Sequence, residues 1–168
     1  KGVDRFIRAA SMITSPNSAR FIVAGSGDSD YDRQLQSLAD ELDLTSCIDF
    51  VGFVDGDRKT AIYRAADVFV LPTSQENFGI VLPEAMACSV PVITTKGVDI
   101  WPELEESGGA MIIDEDAESI AKAIDQLLVD PEKRTAMGCA GRAWVESTFG
   151  GDAVVNRFIE LYRKAINR

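Results

Sequence analysis

Histidine is absent from the 168 residues. Its absence excludes every mechanism that needs an imidazole, including Ser-His-Asp and Cys-His nucleophiles and His-ligated metal. Cysteine is scarce: Cys47, Cys88 and Cys139 stand far apart, and no two share a Cys-x-x-Cys spacing. That odd, dispersed set does not make a disulfide framework or a zinc site. It suits a reducing cytoplasm, with the three thiols expected as small buried side chains. Positive charge is also in deficit, with 17 Lys plus Arg against 27 Asp plus Glu and a net charge of −10. Such a chain lacks the dense basic face that nucleic acid or an anionic membrane surface requires. No apolar run approaches the roughly 20 residues that span a bilayer. No signal peptide is visible, and because residue 1 is Lys rather than Met the natural start is not read from it.

What is present reads as one globular domain. Hydrophobic residues make up 46% and charged residues 26%, which separates the chain from disordered sequences. A domain of this length buries about 70% of its unfolded surface and needs no staples.

Apolar residues alternate between two regimes. Val3, Phe6, Ile7, Ala10 and Ile13 recur at helical spacing, and Pro16-Asn17-Ser18 ends that helix. Phe21 to Ala24 is a short continuous apolar run, which predicts a strand covered on both faces. Leu35, Leu38, Ala39 and Leu42 mark a helix, and Ile48 to Val51 a strand ending at Gly52. Asp57 is the expected cap of a helix carrying Ile62 and Ala65. Val68 to Leu71 is a strand closed by Pro72, 80–87 a helix, 92–94 a strand and 110–113 the last strand. Beyond Asp114 the pattern is helical, over about 117–129, 131–147 and 152–167, with Pro131 in a favoured first turn. Val154, Val155, Phe158, Ile159 and Tyr162 on the final helix are expected to face the core, or a further domain.

Strands alternating with helices mean βαβ units and a parallel sheet, an α/β Rossmann-like, doubly wound architecture. Ligands bind such sheets beyond the carboxyl ends of the strands, which directs attention to the post-strand loops. Ala24-Gly25-Ser26-Gly27-Asp28-Ser29-Asp30 is one of them. Its glycines allow a tight turn beside a ligand, but Asp30 replaces the third glycine of a dinucleotide fingerprint, and acids at 28, 30 and 32 repel a pyrophosphate.

The loop and helix start from Leu71 to Ala87 is richer. The first turn of a helix offers free N–H groups and the positive dipole end, an anion seat that needs no basic side chain. Gly79 allows close approach, and Pro83 is tolerated in the first turn. Glu76 and Glu84, one on the loop and one on the helix, can border the same pocket, where a carboxylate accepts from vicinal sugar hydroxyls. The plainer reading has Glu84 complementing the helix dipole and Glu76 solvated. Farther on, Lys96, Asp99 and Trp101 also follow a strand. Trp101 is expected to pack locally or to meet an acceptor or partner domain.

Glu76-Asn77-Phe78-Gly79-Ile80-Val81-Leu82-Pro83-Glu84-Ala85-Met86-Ala87 closely resembles the E-x7-E signature of family 4 retaining glycosyltransferases. Lys1-Gly2 before a helix, Phe21 to Gly27, Asp49 to Val54 and Tyr63 to Pro72 resemble other segments of that family, so the likeness covers the whole chain. It implies the C-terminal, donor-binding half of a GT-B fold, a nucleotide-diphosphate sugar as ligand, and no metal or other cofactor. By position, Glu84 would hold the ribose hydroxyls and Glu76, the expected catalytic residue, sugar hydroxyls near the anomeric carbon. The backbone of Phe78, Gly79, Ile80 and Val81 would seat sugar and diphosphate, with Lys1 on the diphosphate. Gly25 and Gly27 would form the glycine turn of the donor site, and Gly52, Phe53 and Val54 would lie by the base. The implied reaction moves a hexosyl group to a glycan, lipid or small-molecule acceptor with retention, in the cytoplasm, with any membrane contact made through an acceptor domain outside this chain.

Three departures accompany the resemblance. The family's arginine, the strand before Lys1 and the acceptor-binding N-terminal domain are not in the sequence, so the sheet is expected either with a gap or completed by another segment. Ser89 also stands where the family usually has glycine. A binding module with a degenerate site remains an alternative, as does a GT-B nucleotide-sugar epimerase, although the latter is expected to carry histidine.

Overall fold

The computed structural model describes residues 1–14 and 19–166, so the expected break at Pro16-Asn17-Ser18 lies outside the described residues. In chain order the elements are α1 (Val3–Met12), β1 (Phe21–Ala24), α2 (Ser29–Glu41), β2 (Ile48–Gly52), α3 (Gly56–Ala65), β3 (Phe69–Leu71) and α4 (Val81–Ala87). They continue with β4 (Val92–Thr95), α5 (Trp101–Glu106), β5 (Ala110–Ile113), α6 (Ala117–Leu128), α7 (Pro131–Phe149) and α8 (Gly151–Ile166). Every ladder is parallel. No helix among the described residues is long and apolar enough to cross a membrane.

The register across β3, β4 and β5 sorts side chains onto two faces. Val70, Ile93 and Met111 are aligned, as are Phe69, Val92 and Ala110. The first row packs with Ile7, Ala10, Ile120, Ile124 and Leu127 of α1 and α6. The second packs with Tyr63, Leu82, Ala85, Met86 and Leu104 of α3, α4 and α5. A strand period of two thus feeds two cores, one under each layer of helices. This is the doubly wound arrangement that the alternating pattern predicts.

The strands form two sheets, β1–β2 and β3–β4–β5. Among the described residues no ladder joins the two sheets. The expectation that β1 is covered on both faces is corrected here. Phe21 is buried and Val23 packs on the first core, but Ile22 is 42% exposed, because the second helical layer does not cover β1.

Other expectations change as well. Asp55, not Asp57, occupies the N-cap of α3, and its carbonyl accepts from the Lys59 amide, which leaves Asp57 in the first turn. Residues 101–106 form a short helix, α5, opened by Trp101-Pro102. The final helix does not face the core: α8 has no buried residue, and Val155, Phe158, Ile159 and Tyr162 are all exposed beyond Gly150-Gly151. Of the three thiols only Cys47 is buried; Cys88 is half-buried and Cys139 exposed on α7.

Ser89, where the resemblance leads one to expect glycine, adopts φ 61, in the left-handed region. A side chain there costs roughly 1–2 kcal/mol. Glycine returns that strain but loses roughly 0.5–1 kcal/mol through the freedom of the unfolded chain. Ser89→Gly is therefore expected to stabilise the domain by about 0.5–1 kcal/mol, read as a rise of about 2 °C in Tm. A lower Tm would show that the serine side chain makes a compensating contact.

Candidate functional site at the carboxyl end of β3

The chain leaves β3 at Leu71 and enters a loop whose backbone is held from both sides. Thr94 and Thr95 are fully buried on β4. The Thr94 hydroxyl donates to the Leu71 carbonyl at 2.9 Å, and the Thr95 hydroxyl donates to the Thr73 carbonyl. A buried hydroxyl without a partner is costly, so these bonds also fix the loop. The turn after β4 then closes on it. The Glu76 amide donates to the Gly97 carbonyl at 2.7 Å, and the Asp99 amide donates to the Glu76 carbonyl at 2.9 Å. Together they make a one-residue parallel bridge between Glu76 and Val98. Gly97 permits this approach, since a Cβ on it would stand 2.2 Å from the Thr73 carbonyl oxygen.

On the other side stands the start of α1. Gly2, at φ 70, brings its backbone against Pro72, where a Cβ would lie 2.1 Å from the carbonyl oxygen. That approach delivers Lys1, whose ammonium pairs with the Glu76 carboxylate. Arg5, one turn along, donates to the Pro72 carbonyl at 3.0 Å, to the Ser74 hydroxyl at 2.7 Å and to Glu115 at 2.6 Å. Hydrogen bonds from Ser74 and then Arg5 hold the Glu115 carboxyl below its ordinary value. Arg5 escaped the sequence reading; its only signal was a basic residue between the apolar positions Val3 and Phe6.

Gly79 turns the chain into α4 at φ 63, beside the stem of Glu76. Ile80 is the N-cap and is exposed, while Val81 begins the helix. Glu84, within the first turn, points toward α3. Its Oε1 accepts from Lys59 Nζ at 2.7 Å and its Oε2 from the Tyr63 hydroxyl at 3.2 Å. The Glu76 side chain is 20% exposed and that of Glu84 31%, so both remain within reach of solvent. Glu84 thus stands in the first turn of α4, where the plainer reading put it against the helix dipole, but Glu76 is not simply solvated: each carboxylate is paired with a lysine from a different neighbour. Lys59 and Tyr63 were not foreseen in this role, although they lie four apart on one helix.

The remaining sequence-chosen residues cluster beyond β1 and β2. The Gly25 amide donates to the Gly52 carbonyl at 2.8 Å, and both glycines have positive φ with open space where a Cβ would stand. The Gly27 amide faces the Asp32 carboxylate at 3.3 Å. Asp28 caps α2 by accepting from the Asp30 amide, which gives the acids of this loop a structural use. Phe53 is 71% exposed and Val54 half-buried. Among the described residues no hydrogen bond joins this group to Glu76 or Glu84. Phe78 packs edge-on against Phe149 at 5.6 Å, which packs likewise on Trp144 at 5.3 Å. Trp101 carries the Lys96 ammonium 5.1 Å above its ring, a local packing role.

Two outcomes are expected from this geometry. Gly97→Ala drives a Cβ into backbone and should cost about 1–3 kcal/mol in denaturant unfolding; an unchanged midpoint would mean that the turn yields freely. Burial, reinforced by the adjacent Glu84 carboxylate, pushes the Tyr63 hydroxyl up from its ordinary 10.0. The folded state then binds this proton more tightly than the unfolded state. The associated stability is complete below pH about 10 and falls as pH rises beyond it. Tyr63→Phe should flatten that alkaline limb in chemical unfolding at pH 9 to 11.

A family model described as "Glycosyl transferases group 1" matches residues 1–144. An uncharacterized glycosyltransferase of Methanocaldococcus jannaschii is 32% identical over 99% of this chain and 42% of its own length. A GDP-mannose-dependent monoacylated alpha-(1-6)-phosphatidylinositol monomannoside mannosyltransferase of Corynebacterium glutamicum is 30% identical over 96% of this chain and 43% of its own. The chain thus spans about two fifths of these curated relatives. Sucrose-phosphate synthase of Thermosynechococcus elongatus superposes with a TM-score of 0.85 at 28% identity, covering 99% of this chain and 43% of that one. Anabaena Alr3699/HepE, solved with UDP, gives a TM-score of 0.83 at 21% identity over 95% of this chain and 44% of that one, a likeness of fold. With this sequence match and the GT-B architecture of its structural neighbours, the chain belongs to the group 1 glycosyl transferases.

Proposed function

We propose that this chain is the C-terminal, donor-binding domain of a retaining glycosyltransferase that moves a hexosyl group from a nucleotide-diphosphate sugar to a glycan, lipid or small-molecule acceptor. The observation that carries the reading is the placement of Glu76 and Glu84 on either side of the left-handed turn at Gly79, each half-buried and each paired with a lysine. The dependence of the Corynebacterium relative on GDP-mannose and the UDP in the Anabaena protein support a nucleotide-sugar donor. An acceptor-binding domain belongs, in this reading, to a longer protein working in the cytoplasm, and any membrane contact to that domain.

Each part of the site has a role in this reaction. Glu84 accepts from the ribose hydroxyls. The exposed Phe53 ring, with Gly52 and Val54, borders the base, and the turn from Gly25 to Gly27 lies beside it, open at Gly25. The diphosphate draws Lys1, whose side chain is 61% exposed, away from Glu76. Glu76 is then released to accept from sugar hydroxyls near the anomeric carbon. The backbone from Phe78 to Val81 seats sugar and phosphate at the helix start. As the anomeric C–O bond breaks, its electron pair goes to the leaving phosphate oxygen, whose charge Lys1 and the backbone amides stabilise without a metal ion. The acceptor oxygen attacks the same face and passes its proton to a donor phosphate oxygen.

Calorimetric titration with UDP, GDP and ADP tests the binding half. Glu84→Ala should weaken the preferred nucleotide about tenfold or more, the scale of a lost hydrogen bond to a charged group. Glu76→Ala should retain that affinity and lose transfer in the complete protein. Undiminished nucleotide affinity in Glu84→Ala, or undiminished transfer in Glu76→Ala, would overturn the corresponding role.

A further inference from the structure

Glu84 does not stand alone on α4. Its two oxygens are taken up separately, one by Lys59 Nζ at 2.7 Å and the other by the Tyr63 hydroxyl at 3.2 Å. Lys59 and Tyr63 are four residues apart on α3, so one face of one helix supplies both donors. The Tyr63 ring is buried and fixed edge-on against Phe69, the first residue of β3, at 5.5 Å and 74°. The donor that orients Glu84 is thereby tied to the strand that leads to Glu76.

A carboxylate has about four acceptor positions, two on each oxygen. α3 uses one on each and leaves one on each. The two that remain belong to different oxygens of one planar group, the arrangement that meets two adjacent hydroxyls. The Glu84 side chain is 31% exposed, so the carboxylate remains within reach of a ligand, while rotation of the carboxylate would break both bonds to α3.

We propose that Lys59 and Tyr63 are positioning residues that lock the Glu84 carboxylate with one acceptor site free on each oxygen, and so set the preference of the site for a nucleotide with an intact ribose diol. This rests on the reading of Glu84 as the ribose-binding residue. A tie that merely joins α3 to α4 would stabilise the fold without distinguishing one sugar from another. The lock instead acts only on ligands that carry the diol.

The test compares two ligands across a set of variants. The full chain is titrated calorimetrically with whichever of UDP, GDP and ADP binds best, and with the 2′,3′-dideoxy form of the same nucleotide. The unaltered protein should prefer the ribonucleotide. Lys59→Met and Tyr63→Phe should each weaken the ribonucleotide about tenfold and leave the dideoxy nucleotide unchanged, so that the preference collapses. Lys59→Arg, which keeps a cationic donor, should restore most of it. Equal weakening of both ligands in Lys59→Met and Tyr63→Phe would identify a structural tie and overturn the proposal. If Glu84→Ala abolishes the preference while Lys59→Met and Tyr63→Phe keep it, the positioning role alone fails. If Glu84→Ala keeps the preference, the reading of Glu84 fails and the proposal with it.

Discussion

Backbone runs against backbone where the turn after β4 meets the loop after β3, and the candidate site hangs on that contact. At Gly97 there is no room for even a methyl group, and the bonds it allows clamp Glu76 by both its amide and its carbonyl. Gly2 repeats the device from α1, again against the end of β3. Between these two approaches the loop has little freedom, and the buried hydroxyls of Thr94 and Thr95 remove more. A loop held this way loses little backbone entropy on meeting a ligand, because its ordering cost is met in folding.

The two cores lie on opposite faces of β3, β4 and β5, with β4 at the centre. Val92 of β4 belongs to the core under α3, α4 and α5, and its neighbour Ile93 to the core under α1 and α6. β4 is buried along its whole length and paired on both edges, unlike β1. It joins the halves of the molecule more firmly than the β1–β2 sheet, which is separated from the other three strands. The second core does not extend to β1, which leaves Ile22 facing outward.

Strand and helix order was legible because period-two and period-3.6 patterns are local properties of the chain. The Glu76–Gly79–Glu84 segment was legible for a similar reason, since a strand end, a glycine turn and a helix start adjoin in sequence. What escaped depends on contacts between distant residues. Arg5 reaches Glu115, and Lys59 and Tyr63 reach Glu84, across separations that no local pattern encodes. The apolar run of β1 could not reveal that one of its faces lacks a covering layer. The apolar stripe of α8 identifies a face suited to burial, but not whether this chain supplies the surface that buries it. Asp55 and Asp57 are both chemically fit to cap α3, and only the observed backbone distinguishes them.

The row of rings from Phe78 through Phe149 to Trp144 connects the turn beside Glu76 to the end of α7, where α8 departs. An indole is a fluorophore sensitive to the polarity and motion of whatever packs on its edge. The chain has two tryptophans, and the second, Trp101, is set apart beneath the Lys96 ammonium. Trp144 therefore gives the loop between the two glutamates a built-in optical reporter, two aromatic contacts removed from the chemistry, that needs no label.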